Sequence, residues 1–401
     1  MEVRIGDSIE CNPTVKLVKG NEYPLIDIDK ISVGRKLVTN KDTIVYEKQS
    51  GCKFQNGDTL MARITPCLEN GKMAMASIPD KGIGSTELFV FRGKKGITDN
   101  DFVYYFLKQS YIRNLAANSM TGASGRQRAD LKFIKKIKFD LPSLPTQQKI
   151  ASILSSYDRL IENNTRRIRL LEQMAENLYK EWFVRFRFPE HENVEMVNGL
   201  PKGWKTIHIK ELAQLKSGYA FKSEWFVEEG EAVAKIKDIG NILMDTSNFS
   251  YVDKENCIKA KKFLLTTGDL TIALTGATIG KISIVPKHKG NIYTNQRLGK
   301  FFLGDNPMEK LPFLYCLFKQ ESMVSNIVNL SNSSSAQPNI SPEQIEKIKI
   351  LGNHDIISMY NKTCNPLFSN ILALYSQNQL LTRQRDLLLP RLMSGKLEVK
   401  S

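Results

Sequence analysis

The sequence predicts an α+β protein: two mostly β domains separated by a long antiparallel pair of helices, arranged as an internal repeat with approximate two-fold symmetry. Three observations carry this expectation. Short blocks recur in order about half the chain apart, alternating strand patterns lie within each recurrence, and a long three-and-four apolar stepping follows each.

The recurrence comes first because it organises everything else. Gly57-Asp58-Thr59-Leu60-Met61-Ala62 returns as Gly268-Asp269-Leu270-Thr271-Ile272-Ala273, and Gly71-Lys72-Met73-Ala74 as Gly280-Lys281-Ile282-Ser283. Ser85-Thr86-Glu87 answers to Thr294-Asn295-Gln296, the aromatic run 102–109 to 313–320, and 134–138 to 345–349. The offsets stay between 209 and 211. Five matches in order at one offset are a duplication.

Within each copy, alternating stretches at 59–64, 72–78 and 88–91, and at 271–274, 281–285 and 298–303, sit between Gly-, Asp- and Pro-containing turns and read as strands. A helix is expected after them, near 99–117 and near 308–328. Long helix then takes over. From Ile150 an apolar seam steps through Leu154, Tyr157, Ile161, Ile168, Leu171, Ala175, Leu178 and Trp182, with Asn164 as its polar intruder. In the second copy the spacing gives Tyr360, Cys364, Leu367, Ile371, Leu374, Asn378, Leu381, Arg385, Leu388 and Leu392, a weaker seam with two polar positions. Pro366 is expected to start or kink that helix, and Gly395 to stop it. The resulting division is a first mostly β domain over 1–145, a helical spacer over 146–185, a second domain over 186–350 and a second spacer over 351–401. A helix from 147 to 183 is about 55 Å long at about 1.5 Å per residue, more than the ~34 Å between half-sites one DNA turn apart. Such helices can space two DNA-reading modules.

Composition narrows the function. A chain of 401 residues with 41% hydrophobic and 9% aromatic content supports folded domains rather than disorder. Its apolar runs are far shorter than the roughly 20 residues that cross a bilayer, and no secretory signal is visible, so a cytoplasmic location is expected. The six cysteines are scattered without metal-ligand spacing and are expected to be reduced and unliganded. The net charge of +15 attracts polyanions. It is spread along the chain, with a basic excess of seven in 1–140, two in 141–190, three in 191–350 and three in 351–401. A basic tail on a neutral domain is excluded.

Catalytic motifs are thin. Gly276-Ala277-Thr278-Ile279-Gly280-Lys281-Ile282 is one residue short of a P-loop and ends in Ile where a hydroxyl is needed, so it reads as a turn. His191-Glu192-Asn193-Val194-Glu195 lacks the second histidine of a zinc-protease helix. No Asn-Pro is followed by the aromatic that would cage a flipped adenine. Nothing here predicts catalysis.

Three segments carry a family resemblance. Leu141-Pro142-Ser143-Leu144-Pro145-Thr146-Gln147-Gln148-Lys149-Ile150-Ala151 runs into a helix closing with Trp182-Phe183. Gly199-Leu200-Pro201-Lys202-Gly203-Trp204 precedes Gly218-Tyr219-Ala220-Phe221-Lys222-Ser223. The third is Arg385-Asp386-Leu387-Leu388-Leu389-Pro390-Arg391-Leu392-Met393-Ser394-Gly395. Together they resemble the specificity subunit of type I restriction–modification enzymes. The resemblance implies a non-catalytic subunit whose two target-recognition domains each read half of a bipartite site in double-stranded DNA. It also implies helices that space them and dock two methyltransferase subunits, with two motor–nuclease subunits completing the assembly. No cofactor is then expected on this chain; S-adenosylmethionine, ATP and Mg²⁺ belong to the partners. The pattern departs from the family in two places. The first domain lacks the Pro-x-Gly-Trp opener, and Leu351-Gly352-Asn353-His354-Asp355 stands where the first copy has its Gln-Gln segment. Two alternatives stand beside this reading: a coiled-coil scaffold or adaptor that binds protein, and a self-contained DNA-modifying enzyme.

Residue types that read base edges or hold phosphates, at equivalent places in both copies, are the candidate DNA contacts. They are Arg63, Thr65 and Lys72 against Thr275, Thr278 and Lys281, and Thr86 against Asn295 and Arg297. The loop with Arg126, Gln127 and Arg128 answers to that with Gln337 and Asn339. Tyr219 and Lys222 join them in the second domain.

Overall fold

A computed structural model describes residues 1–123, 126–331 and 338–399. The chain forms two compact units, Met1–Asn163 with the segment from Asn378 onward, and Asn164–Gln377.

The first unit is built on a five-stranded sheet in the order Ile9–Cys11, Leu88–Gly93, Thr59–Ala62, Met73–Ala76 and Leu37–Val38. A four-stranded sheet adds Thr43–Val45, Glu22–Ile26, Lys81–Gly84 and Cys52–Gln55. Glu2–Arg4 pairs antiparallel with Lys138–Asp140 and ties the chain's start to the strand just before the first long helix. The second unit repeats the plan. Gln214–Ser217, Leu298–Phe302, Leu270–Ala273 and Ile282–Ile284 form one sheet, and Lys205–His208 pairs with Lys349–Gly352. Both units share a parallel pair at the same place, Glu22–Ile26 beside Lys81–Gly84 and Glu231–Ala234 beside Ile292–Thr294. The strands expected from alternation all form: Leu88–Gly93 runs two residues past its pattern, and the others are shorter or shifted by a residue.

A turn before the central strand is built identically in both units. Asp58 accepts the amide of Gln55 at 2.8 Å, and Asp269 accepts that of Thr266 at 2.6 Å. Each carboxylate is buried and ion-paired, Asp58 with Arg92 at 2.7 Å and Asp269 with Lys300 at 2.6 Å. The preceding glycines, Gly57 and Gly268, hold φ of +83° and +88°. A Cβ there collides with the following carbonyl, so Gly57→Ala and Gly268→Ala are each expected to cost about 1–2 kcal/mol. Urea denaturation of the two variants measures it.

The helix expected near 99–117 is two helices, Asn100–Lys108 and Ser110–Asn118, and its counterpart splits into Leu311–Lys319 and Glu321–Ser331. Both break at a glutamine. Gln109 and Gln320 adopt extended backbone and donate their side-chain amides to the carbonyls of Phe106 (3.2 Å) and Cys316 (2.8 Å), satisfying acceptors the helix end exposes. These helices pack on the central sheet through the buried faces 102–107 and 311–318.

The long helices are Leu144–Tyr179, continued by a wider turn at Lys180–Val184, and His354–Met393. The second starts well before Pro366, so of the two roles expected for that proline it does not begin the helix. Asn353 caps it, accepting the amide of Asp355 at 2.9 Å. Pro366 lies on an exposed face, where water can take the carbonyl of the exposed Lys362 that the proline cannot bond. The helix ends at Met393, two residues before Gly395, whose φ is +69°.

Within each unit the two helix segments run antiparallel. In the second, Tyr360 donates to the Ala175 carbonyl (2.7 Å) and Asn164 to Gln377 (3.0 Å), around a core of Ile168, Ala175, Cys364, Ile371 and Leu374. In the first, Arg385 binds Asp158 and Asn378 donates to the Ile161 carbonyl, beside Ile150, Leu154, Leu389 and Leu392. The seam residues Ile161, Leu171, Leu178, Asn378, Leu381 and Leu388 are half-buried. Asn164, Ile168, Ile371 and Leu374 of the seam are buried, and beside the half-buried Tyr157, Leu178, Leu367 and Leu388 the buried side chain is the next residue, Asp158, Tyr179, Phe368 or Leu389. The buried stripe is wider than a strict two-position seam because each helix packs on its recurring domain as well as on the facing helix.

Candidate nucleic-acid interface

In the first unit the chain leaving Thr59–Ala62 meets two other segments. Arg63 donates its amide to the Glu87 carbonyl (3.0 Å), Ala129 donates to the Arg63 carbonyl (2.8 Å), and Thr65 donates to the Gln127 carbonyl (3.0 Å). In the second unit Leu274 donates to Arg297 (3.0 Å), Ile340 to Leu274 (3.0 Å) and Gly276 to Pro338 (3.0 Å). The same three-segment junction is thus built twice. Ile64 bridges to Arg128 and Thr275 to Asn339, each 211 positions apart. The backbone therefore sets Arg63 against Leu274 and Glu87 against Arg297, one position away from the sequence pairing of Arg63 with Thr275 and Thr86 with Arg297.

Around this frame most of the predicted residues converge. Arg63, Thr65, Gln127 and Arg128 lie on the first junction, with Thr86 adjacent and exposed. Arg126 is exposed one residue further along. Thr275, Arg297 and Asn339 form the second, and Arg297 and Asn339 are exposed. Lys72 and Lys281 hold equivalent backbone places, their carbonyls accepting the amides of Ala62 and Ala273. The Lys72 ammonium is turned back to the Ile28 carbonyl at 3.0 Å, whereas Lys281 is exposed. Thr278 lies in a single helical turn, Gly276–Thr278, that replaces any P-loop geometry, and its hydroxyl is buried. Gln337 lies outside the described residues. Asn295 is buried and its side chain accepts the Arg297 amide at 3.3 Å, so it shapes the loop rather than facing solvent. Tyr219 bridges to Asn295, stacks near Trp225 with ring centroids 6.4 Å apart, and brings Lys222 with it, 5.4 Å over the same indole.

The electrostatics of the two junctions differ. Glu87 grips Arg128 through both carboxylate oxygens, and this bond, with Arg63 nearby, holds the carboxyl below its ordinary range. Arg63 packs its guanidinium 4.9 Å over the Phe89 ring. The second junction has no such clamp among the described residues: arginine stands where the first has Glu87, and asparagine where it has Arg128. Sequence reasoning missed Glu87 because its partner lies 41 residues away. It also missed the buried Gln147, which accepts the Asp99 amide (3.0 Å) and donates to the Ile97 and Pro142 carbonyls, locking the domain's helices to the long one. In the second unit Asn361 of the long helix accepts the Phe313 amide at 2.8 Å, the bond that Asp99 gives Phe102 in the first.

The pattern of the type I restriction modification DNA specificity domain matches residues 2–173 and 201–351, one match on each copy of the repeat. The chain belongs to that family. Its specificity-subunit relatives include that of the MjaVIII restriction enzyme of Methanocaldococcus jannaschii, 27% identical over 87% of this chain and 81% of the relative. The HindI specificity subunit of Haemophilus influenzae is 25% identical over 86% of this chain and 87% of its own. The fold is shared with the type I restriction–modification S subunit of M. genitalium, at a TM-score of 0.55 and 16% identity, covering 100% of this chain and 96% of that one. No helix among the described residues is long and apolar enough to cross a membrane.

Proposed function

We propose that this specificity-family chain is the non-catalytic DNA-reading subunit of a cytoplasmic type I restriction–modification complex. The recognition domains, 1–145 and 186–350, each read one half of a bipartite site. The helical stretches 146–185 and 351–401 space them and dock two methyltransferase subunits. Two motor–nuclease subunits complete the assembly, and the partners carry S-adenosylmethionine, ATP and Mg²⁺.

The observation that supports this reading best is the junction built twice on one backbone plan with different polar side chains. Thr65, Gln127, Arg128 and Glu87 in one copy become Gly276, Pro338, Asn339 and Arg297 in the other. A common frame with unlike readers suits two unlike half-sites, since base edges are distinguished by the donor and acceptor pattern facing them. The exposed arginines suit phosphate neutralisation.

Co-expression with a methyltransferase subunit and mapping of methylated bases tests the proposal. A motif of two specified halves with a fixed gap is expected, and exchanging one recognition domain should alter only its half. Binding of the complex to its duplex should fall steeply as salt rises from about 50 to 200 mM, by 10³ or more for six phosphate contacts. A salt-independent association, or methylation indifferent to the exchange, would refute it and favour a protein-binding scaffold.

A further inference from the structure

The first unit contains a cavity of about 510 Å³ between its aromatic helices and the end of the second long helix. Its walls are largely aliphatic, and Lys72, Lys108, Arg113 and Arg385 border it against one carboxylate, Asp386. Two of these cations are already answered: Arg385 is paired with Asp158 and Asp386, and Lys72 is bonded to the Ile28 carbonyl. The other two are not. The Lys108 Nζ is buried with no hydrogen-bond partner among the described residues. Arg113, whose Nη1 lies over Gly71, has no acid partner among them either.

The duplication shows what such a lysine binds when it is satisfied. Lys108 and Lys319 occupy equivalent places in the aromatic helices, and each sits over the equivalent tyrosine, 5.6 Å from the Tyr104 centroid and 5.8 Å from that of Tyr315. In the second unit a carboxylate completes the arrangement: Glu172 lies 3.2 Å from the Lys319 Nζ and accepts the Tyr315 hydroxyl. In the first unit the corresponding carboxylate is missing and the cavity opens beside the lysine.

We propose that this cavity binds an organic carboxylate carried on an apolar body, its charged end taking beside Lys108 the role that Glu172 has beside Lys319. The aliphatic walls take the body, and Arg113 supplies a second cation. The Lys108 stem already lines the cavity, and rotation of its last bonds turns the ammonium toward it. Burial, followed by repulsion from Arg385, pushes this ammonium down to about 8. Lys36 repels it as well, and Asp158 and Asp386 only partly offset that, so an arriving anion is favoured.

The test uses the full chain at pH 7 with benzoate as the probe, benzamide as its neutral isostere and inorganic phosphate as the competing anion. Affinity is read by titration, and the Lys108 ammonium is followed by NMR after reductive methylation. Benzoate is expected to bind at least tenfold tighter than benzamide or phosphate and to raise the pKa of Lys108. Lys108→Met and Arg113→Met, each checked for the parent's circular dichroism, should weaken benzoate about tenfold and leave DNA affinity unchanged. Equal binding of benzamide would reduce the site to an apolar hole. Preference for phosphate would overturn the carboxylate assignment. Undiminished benzoate binding in both folded variants would place the anion elsewhere.

Discussion

Asp158→Ala is expected to destabilise the first unit by about 3–5 kcal/mol, the usual cost of stripping one partner from a buried ion pair. Arg385 and Asp158 are 3% and 7% exposed, and Tyr105 donates its hydroxyl to the second oxygen of the same carboxylate. Removing the carboxylate leaves a guanidinium and a phenol facing a dry interior. Asp386 cannot take over, because it is half in solvent and bound to the far side of the guanidinium. The double variant Asp158→Leu, Arg385→Met should recover most of the loss, since an apolar pair removes the desolvation cost together with the attraction. Urea denaturation of the parent, the single variants and the double variant measures the coupling. If the single variant loses under 1 kcal/mol, the ion pair is solvated and contributes little.

That ion pair also shows how far the sequence could be read. Arg385 was visible as a charged residue at a seam position, which implies a buried partner on the facing helix. The partner was not visible, because Asp158 stands one residue off the strict heptad, on the flank of a buried stripe wider than the seam. The duplication was legible in the sequence: an offset of 211 reproduces individual hydrogen bonds, as from Thr65 to Gln127 and from Gly276 to Pro338. The breaks at Gln109 and Gln320 were hidden because a glutamine that ends a helix by its own side chain carries no Pro or Gly signature. Pro366 misled as a start signal for the converse reason, since a 40-residue helix sustained by packing runs through a proline on its exposed face. Of the candidate interface, sequence grouped the loops that the fold brings together but could not separate residues facing solvent, such as Arg126 and Asn339, from Asn295, which is spent on shaping its own loop.

The second large effect concerns which half of the DNA site each junction reads. Arg297→Ala combined with Asn339→Ala is expected to relax base preference in one half-site and leave the other unchanged; Arg126→Ala with Gln127→Ala should do the opposite. Each lost base contact costs about 1–3 kcal/mol, so a pair of contacts in one half-site lowers discrimination there by about two orders of magnitude. Glu87→Gln separates the roles further. The carboxylate now occupies the fork of Arg128, and its neutral isostere would release that guanidinium to the DNA. First-half affinity should then rise, with a steeper salt dependence, because one more cation meets the phosphates. Competition binding with duplexes scrambled in one half at a time checks all three variants. Equal losses in both halves from either alanine pair would mean that the junctions hold the backbone rather than read the bases. Unchanged salt dependence in Glu87→Gln would mean that Arg128 serves the loop and not the DNA.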